Sequence, residues 1–155
     1  MQRKWTVLAV VAMASCIALA SGLSLADEDS ELHKIMEQVN AKNATITKGV
    51  RTQVNFAKAQ EHVVKSAEDL VKLAKKAKAY HDAVKKAKDV PNAGEKWNQM
   101  MDQLITTSKN LAEVAKKNGT TPTQTKKIWE ESKTAHTAVK KSCSECHNVF
   151  RIEEE

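Results

Sequence analysis

Apolar residues recur every three or four positions along most of residues 30–150, which is the spacing of one face of an α-helix. No stretch keeps the strict alternation of apolar and polar residues that is typical of a β-strand. The chain has 4 Gly and 2 Pro, and most of them interrupt the helical pattern at its joints. The pattern therefore predicts an all-α protein with four helices.

The first two helices are bounded by capping residues. Ser30 is the expected N-cap of the first helix and Gly49 its expected stop. The second helix starts near Thr52, and its period runs on toward Pro91. The expected buried positions are Leu32, Ile35, Met36, Val39 and Ile46 in the first helix, and Phe56, Val63, Ala67, Leu70, Ala74, Ala77, Tyr80 and Val84 in the second.

The third and fourth helices have similar signals. Asn92 with Glu95 opens the third, Asn118-Gly119 closes it, and Thr121-Pro122-Thr123-Gln124 is a capping box with Pro at the first helical position. The connections are short, so consecutive helices should be antiparallel, which predicts an up-down-up-down four-helix bundle. The expected buried positions are Trp97, Met101, Leu104, Ser108, Leu111 and Ala115, then Trp129, Ser132, His136, Val139, Cys143, Cys146 and Phe150.

The N-terminus has the pattern of a secretory signal. Arg3 and Lys4 precede an uncharged stretch that ends in small residues at Ala26, and the acidic residue Asp27 follows at once. We interpret residues 1–26 as a cleavable signal peptide and residues 27–155 as one exported domain, periplasmic in location and without a membrane segment. An uncleaved anchor is the alternative, because the stretch is long enough to span a bilayer. A lipoprotein signal ending at Cys16 fits less well.

The charge balance is mildly basic. The sequence has 25 Lys and Arg against 19 Asp and Glu, and the loss of Arg3 and Lys4 with the signal leaves residues 27–155 at +4. The lysines are spread along helical faces without interleaved aromatic residues, so nothing beyond charge favours nucleic-acid binding. A solvated lysine face and a docking surface for an acidic redox partner both fit this distribution.

Cys143-Ser144-Glu145-Cys146-His147 is a C-x-x-C-H sequence, the attachment motif of a c-type haem. On a helix, this spacing places both thiols on one side for thioether bonds, and the histidine follows as the proximal iron ligand. A redox dithiol, a partial zinc site and coincidence are alternatives. A dithiol of the thioredoxin type needs neighbouring strands, and zinc usually takes four ligands, for which the sequence has no second Cys pair. The motif therefore predicts one covalent haem c with its iron.

The motif lies near the end of the fourth helix, so the haem is expected at one end of the bundle. Antiparallel packing brings the first turns of helices one and three to that end, with the far end of helix two. The residues expected there are His33, Met36, Trp97, Met100, Met101, Tyr80 and His81.

The chain resembles the cytochrome c′ family, exported four-helix bundles with a haem near the C-terminus attached through C-x-x-C-H-x-x-[YF]-[RK]. The motif here continues to Phe150 and Arg151, and Trp97 opens the third helix as in the family. The resemblance implies that Trp97 and Phe150 line the haem pocket, and that homodimers form through helices one and two. Leu32 stands where members often carry an Arg that can meet a haem propionate.

The resemblance also places Met36 at the distal position. Family members divide into low-spin haems, in which a helix-one Met ligates iron, and five-coordinate haems that bind NO or CO. Met36 as ligand implies a carrier of single electrons through Fe(III)/Fe(II) cycling with redox partner proteins. Met36 as packing implies the gas-binding alternative. No distal His or Arg is clearly placed for peroxidase chemistry, and we expect no enzyme activity.

The other histidines are weighed by position. His136 lies eleven residues before His147, about 16 Å along a helix, too far to bind the same iron, and is expected to be a hydrogen-bonded core residue. His33 is expected to face solvent or to meet a propionate. His81 is a rival distal ligand, and His62 is expected to be exposed.

Overall fold

A computed structural model describes residues 25–84 and 90–150, with side chains from Glu31 onward except Asp82 and Ala83. This part of the chain contains helices and no strand, as the periodicity predicts. Four of the helices are long and one has only 4 residues. They are α1 (Leu25–Val50), α2 (Gln53–Lys78), α3 (His81–Val84), α4 (Ala93–Ala115) and α5 (Pro122–Phe150).

Contacts between side chains show that consecutive long helices are antiparallel. Lys42 of α1 binds Asp69 of α2 at 2.8 Å, and Gly49, seven residues later in α1, lies against Val63, six residues earlier in α2. Lys78 at the end of α2 binds Asp102 in the first half of α4, and Lys117 just after α4 binds Glu131 in the first half of α5. The all-helical fold with four long helices is therefore confirmed, and its helices alternate in direction.

The core is a continuous cluster of apolar side chains from the four long helices. Every predicted position on α4, and every predicted position on α2 as far as Ala77, is buried. On α1, Ile35, Val39 and Ile46 are buried, whereas Leu32 and Met36 are half-buried and pack against the core edge. The apolar side chains of α1 are therefore less completely buried toward its N-terminal end.

The largest differences from the predicted helix ends lie at the start of α1 and at the end of the second helix. The Ser30 cap is wrong, because α1 already begins at Leu25; Leu25 and Ala26 are strong helix formers that extend it. The second helix does not continue to Pro91. It ends at Lys78 because the Ala77 carbonyl accepts bonds from the Tyr80 amide at 3.0 Å and the Trp97 indole at 2.9 Å, which close the helix with a tighter turn.

Local capping explains the starts of α2 and α5, whereas Asn92 precedes α4 as predicted but its side chain makes no cap hydrogen bond. The Thr52 hydroxyl accepts from the Asn55 amide at 3.1 Å, and the capping box before α5 has both bonds between Thr121 and Gln124, each at 3.2 Å. Gly49 does not terminate α1, which ends at Val50. It is a packing position, because a Cβ there would lie 2.5 Å from a methyl group of Val63.

Ser108 offers a test of the core. Its hydroxyl is buried without a hydrogen-bond partner in the described structure, so Ser108→Ala should raise the free energy of unfolding by about 1 kcal/mol. The matched control is Ser142→Ala, since the equally buried Ser142 hydroxyl donates to the Ala138 carbonyl at 3.1 Å and its loss should not stabilise. Urea unfolding measures both variants. Equal destabilisation by the two changes would contradict the prediction.

Candidate functional site

The C-x-x-C-H residues lie in the last two turns of α5, so a regular helix sets their relative positions. Cys146 is buried with 8 % of its surface exposed, Cys143 is half-buried, and His147 is exposed. The two thiols are three residues apart and lie on neighbouring parts of one helix face, with His147 one turn beyond Cys143. The prediction that both cysteines lie on the buried face is confirmed for Cys146, whereas Cys143 lies at the edge of that face.

Cys143 and His147 lie on the side of α5 that faces α1. Trp129, His136 and Cys143 are spaced by seven residues, or about two turns, and therefore occupy one stripe, which His147 continues. The two residues of this stripe nearest the start of α5, Trp129 and His136, contact α1 directly. Trp129 Nε1 donates to the Val50 carbonyl at 2.9 Å, and His136 Nε2 donates to Asn43 Oδ1 at 2.9 Å.

The same contacts set the register between the two helices. Because α1 and α5 are antiparallel, each step toward the end of α5 is matched by a step toward the start of α1. Met36 is seven residues before Asn43, just as Cys143 is seven residues after His136, so Met36 lies level with Cys143. By the same count Leu32 lies level with His147. Leu32 and Met36 also share the stripe of α1 that holds Asn43.

Burial along this pair of helices changes from one end to the other. Ile46 and Val50 near the end of α1, and His136 in the middle of α5, are at most 4 % exposed, whereas Trp129 near the start of α5 is half-buried. Toward the C-x-x-C-H motif, Leu32, Met36 and Cys143 are only half-buried. The contact between α1 and α5 is therefore tightest around Ile46, Val50 and His136 and more open toward the motif. We call the region of Leu32, Met36, Cys143, Cys146 and His147 the open end of the α1–α5 seam.

An aromatic pair supports this end of the bundle. Phe150 meets Trp97 edge to face, with ring centroids 5.4 Å apart at 88°. Trp97 is buried and its indole is held by the Ala77 carbonyl, so the pair joins α5 to α4 and α2 one turn beyond Cys146. The sequence prediction that the first turn of the third helix and the end of the fourth meet is confirmed for these two residues.

The two thiols are poorly suited to ionise. Burial raises the pKa of Cys143, and burial together with the neighbouring Cys143 raises the pKa of Cys146 to about 11. A dithiol that exchanges with disulfides or attacks a substrate needs thiolate at neutral pH, which lowered pKa values supply. Sulfurs that stay uncharged suit an apolar environment and covalent thioether bonds.

His136 connects α5 to α1 about two turns before Cys143 of the motif. It is 4 % exposed, its Nε2 donates to Asn43 Oδ1, and Thr47 Oγ1 lies 3.5 Å from the same nitrogen. Burial, with a smaller contribution from Lys140, lowers the pKa of His136 to about 4. The expectation of a hydrogen-bonded core residue is confirmed. The sequence analysis did not single out Asn43, although Asn43 lies seven residues, or about two turns, after Met36 and therefore on the same face of α1.

The His136 pKa predicts how stability depends on pH. A histidine in the unfolded chain has a pKa near 6.5. Between about pH 6.5 and pH 4, the imidazole of residue 136 therefore binds a proton in the unfolded chain but not in the folded protein. The contribution of the neutral His136 to the free energy of unfolding is therefore fully present above about pH 6.5. It falls by up to about 3 kcal/mol as pH drops toward 4. Urea unfolding across this range measures the slope, and His136→Gln should reduce it. The exposed His62→Gln variant is the control, and equal slopes in all three proteins would refute the assignment.

The remaining predicted residues lie at various depths. His33 is exposed and 3.6 Å from Glu37, and His62 is exposed, as expected. Met101 is buried in the core. Met100 is half-buried at its edge, and the half-buried His81 lies in α3.

Two predictions fall outside the described residues. The signal-peptide residues before Leu25 are one, and Arg151 of the extended motif is the other.

The described residues define an all-helical protein with four long antiparallel helices. None of these helices has the combined length and apolarity that crossing a bilayer requires. Among the described side chains, no three His, Cys, Asp or Glu residues group together as for a metal ion; haem iron takes only axial ligands from the protein and needs no such group. The chain matches no protein-family model, no curated protein and no solved structure.

Proposed function

We propose that this chain is an exported monohaem c-type cytochrome that carries single electrons. The observation that supports this most is the position of the C-x-x-C-H residues. Cys143 and His147 lie on the side of a regular helix that faces α1, where the contact between the two helices is more open, and Cys146 is buried beside them. Half-buried apolar side chains of α1 lie level with them. A motif that occurred by chance would have no reason to coincide with such an opening.

The chemistry of the residues at the open end fits a covalent haem. Cys143 and Cys146 would hold the ring by thioether bonds, and the accessible imidazole of His147 would be the proximal ligand. Trp97 and Phe150 would form the apolar wall near Cys146. When bound, the haem supplies an iron that cycles between Fe(III) and Fe(II), while the protein orients it and limits its exposure to water.

Met36 would be the distal ligand. It lies level with Cys143 on the stripe of α1 that faces α5, and its thioether is a soft ligand that raises the reduction potential of haem iron. Its half-burial leaves it beside the opening instead of inside the packed core. Electron transfer is the function that follows from ligation by both His147 and Met36, because an iron with two axial protein ligands has no vacant position for substrate.

Binding of NO or CO is the second candidate function. Leu32 and Met36 are both apolar and half-buried at the level of the motif. If Met36 packs without ligation, these side chains would cover the distal face, admit small uncharged gases and hinder water. The location we propose for either function is the periplasm, after removal of residues 1–26. The expected partners are redox proteins in the first case and the gases in the second.

Mass spectrometry with one optical titration tests the proposal. The chain is expressed in a host with haem-attachment machinery, and the purified protein should have the mass of residues 27–155 plus one haem. The ferric and ferrous spectra should be low-spin and should change little with CO. A mature mass without haem would refute the cytochrome. A high-spin spectrum with ready CO binding would replace the electron carrier by the gas-binding protein.

A further inference from the structure

The α1–α5 seam differs in charge from the other seams of the bundle. In the described part of the chain, an ion pair crosses each of the other three, as Lys42 to Asp69, Lys78 to Asp102 and Lys117 to Glu131. The α1–α5 seam is crossed instead by uncharged groups, an indole, an imidazole, an amide and a hydroxyl. Among the described residues, no ion pair crosses this seam.

The sequence shows how far the absence of acid extends. Residues 38–60 contain no Asp or Glu, and neither do residues 132–144. These two segments include the parts of α1 and α5 that contact each other. Five basic side chains in them are exposed without an ion pair among the described residues; one of these, Lys58, lies on α2, and the other four lie at the end of α1 and on α5. We call Lys48, Arg51, Lys133 and Lys140 the basic face.

The basic face runs along the seam, from Lys48, Arg51 and Lys133 near the end of α1 to Lys140, which approaches the open end. Lys140 is close enough to the seam to lower the pKa of His136, and it is one turn before Ser144 of the motif. Lys133 lies two turns earlier, with its ammonium 5.6 Å from the centre of the Trp129 ring. Acidic residues border the face at Glu130, which is 3.9 Å from Lys126, and at Glu37 beside His33.

We infer that the basic face docks an acidic protein surface. Unbalanced positive charge does not stabilise the contact between α1 and α5, which neutral hydrogen bonds already hold. Such charge does attract and orient a negatively charged partner. Nucleic acid suits the face less well, because Lys133 covers the Trp129 ring on which a base would stack. An anionic membrane also suits the basic face less well, because insertion into a membrane needs exposed apolar side chains. The large apolar side chain that is exposed among the described residues is Val54, which belongs to α2 and not to the basic face.

The partner's redox character rests on the proposed function, whereas its acidity rests on the basic face alone. A docked partner would meet the protein next to Cys143 and His147. Charge would then select the partner, and the open end of the seam would determine where electrons cross.

The test compares two charge reversals with the same change in net charge. The probe is a glutamate-rich peptide, and its dissociation constant with the purified full mature protein is measured by calorimetry at low and at physiological salt. Lys133→Glu with Lys140→Glu should weaken binding at low salt by about tenfold or more and reduce its salt dependence. The control, Lys75→Glu with Lys76→Glu, changes two exposed lysines of α2 and should alter the constant less than about twofold.

Equal weakening by the two double variants would overturn the inference, because net charge alone would then explain binding. Tighter binding of a duplex DNA or of phosphatidylglycerol vesicles through Lys133 and Lys140 would overturn the class of partner. The mass of the same preparation separates this test from the proposed function. A protein with haem but no preference between the variants contradicts the docking face only, and a haem-free protein with the preference contradicts the cytochrome only.

Discussion

Replacement of Cys143 and Cys146 together by alanine is expected to abolish covalent haem while leaving the helices folded. The two sulfurs are the only thiols in residues 27–155, so no other site can form a thioether. Cys146 is buried at the edge of the core, and its loss should lower the free energy of unfolding by only about 1 kcal/mol. The core of the long helices does not depend on it.

Denaturing electrophoresis with haem staining and mass spectrometry measures the result. The single variants should each retain at most one thioether. Ser144→Ala, which changes the exposed residue between the two cysteines, is the matched control and should keep the full haem content. Helix content from circular dichroism should be similar in all variants. If the double variant still carries covalent haem, the attachment site lies elsewhere.

Met36→Ala is expected to convert a low-spin protein into one whose iron binds CO. Met36 lies level with Cys143 on the face of α1 opposite the motif, so its removal opens the distal side without disturbing His147. The ferric spectrum should lose the weak band at the red end that Met ligation produces, and the reduction potential should fall because the thioether no longer favours Fe(II). Met36 is only half-buried, so the stability cost should be modest.

Met100→Ala is the control for this variant. Met100 is also half-buried at the core edge on α4, and the cost of truncating its side chain should be similar. It should change neither the spectrum nor the potential appreciably. If Met36→Ala and Met100→Ala both leave the spectrum unchanged, Met36 is not a ligand, and a native protein that binds CO freely would then favour the gas-binding function.

Much of the fold followed from local patterns in the chain. The seams of α2 and α4, the Thr52 cap and the capping box of α5 were predictable because each depends on residues within a turn or two of one another. The end of α2 was not predictable in this way. Trp97, distant in the chain, binds the Ala77 carbonyl and helps to end the helix there. The start of α1 was missed because a cap residue is optional where the preceding residues also favour helix.

The candidate site divides in the same manner. Cys143, Cys146 and His147 are recognisable from their spacing alone, and the sequence by itself therefore determines the type of cofactor we propose and, through its periodicity, the number of long helices. The residues that face the motif are decided only by tertiary structure. Asn43 bonded to His136 and Val50 bonded to Trp129 set the register of α1 against α5, and that register brings Met36 level with Cys143. Periodicity assigns a residue to a helix face, but the level of one helix against another depends on contacts between residues far apart in the chain.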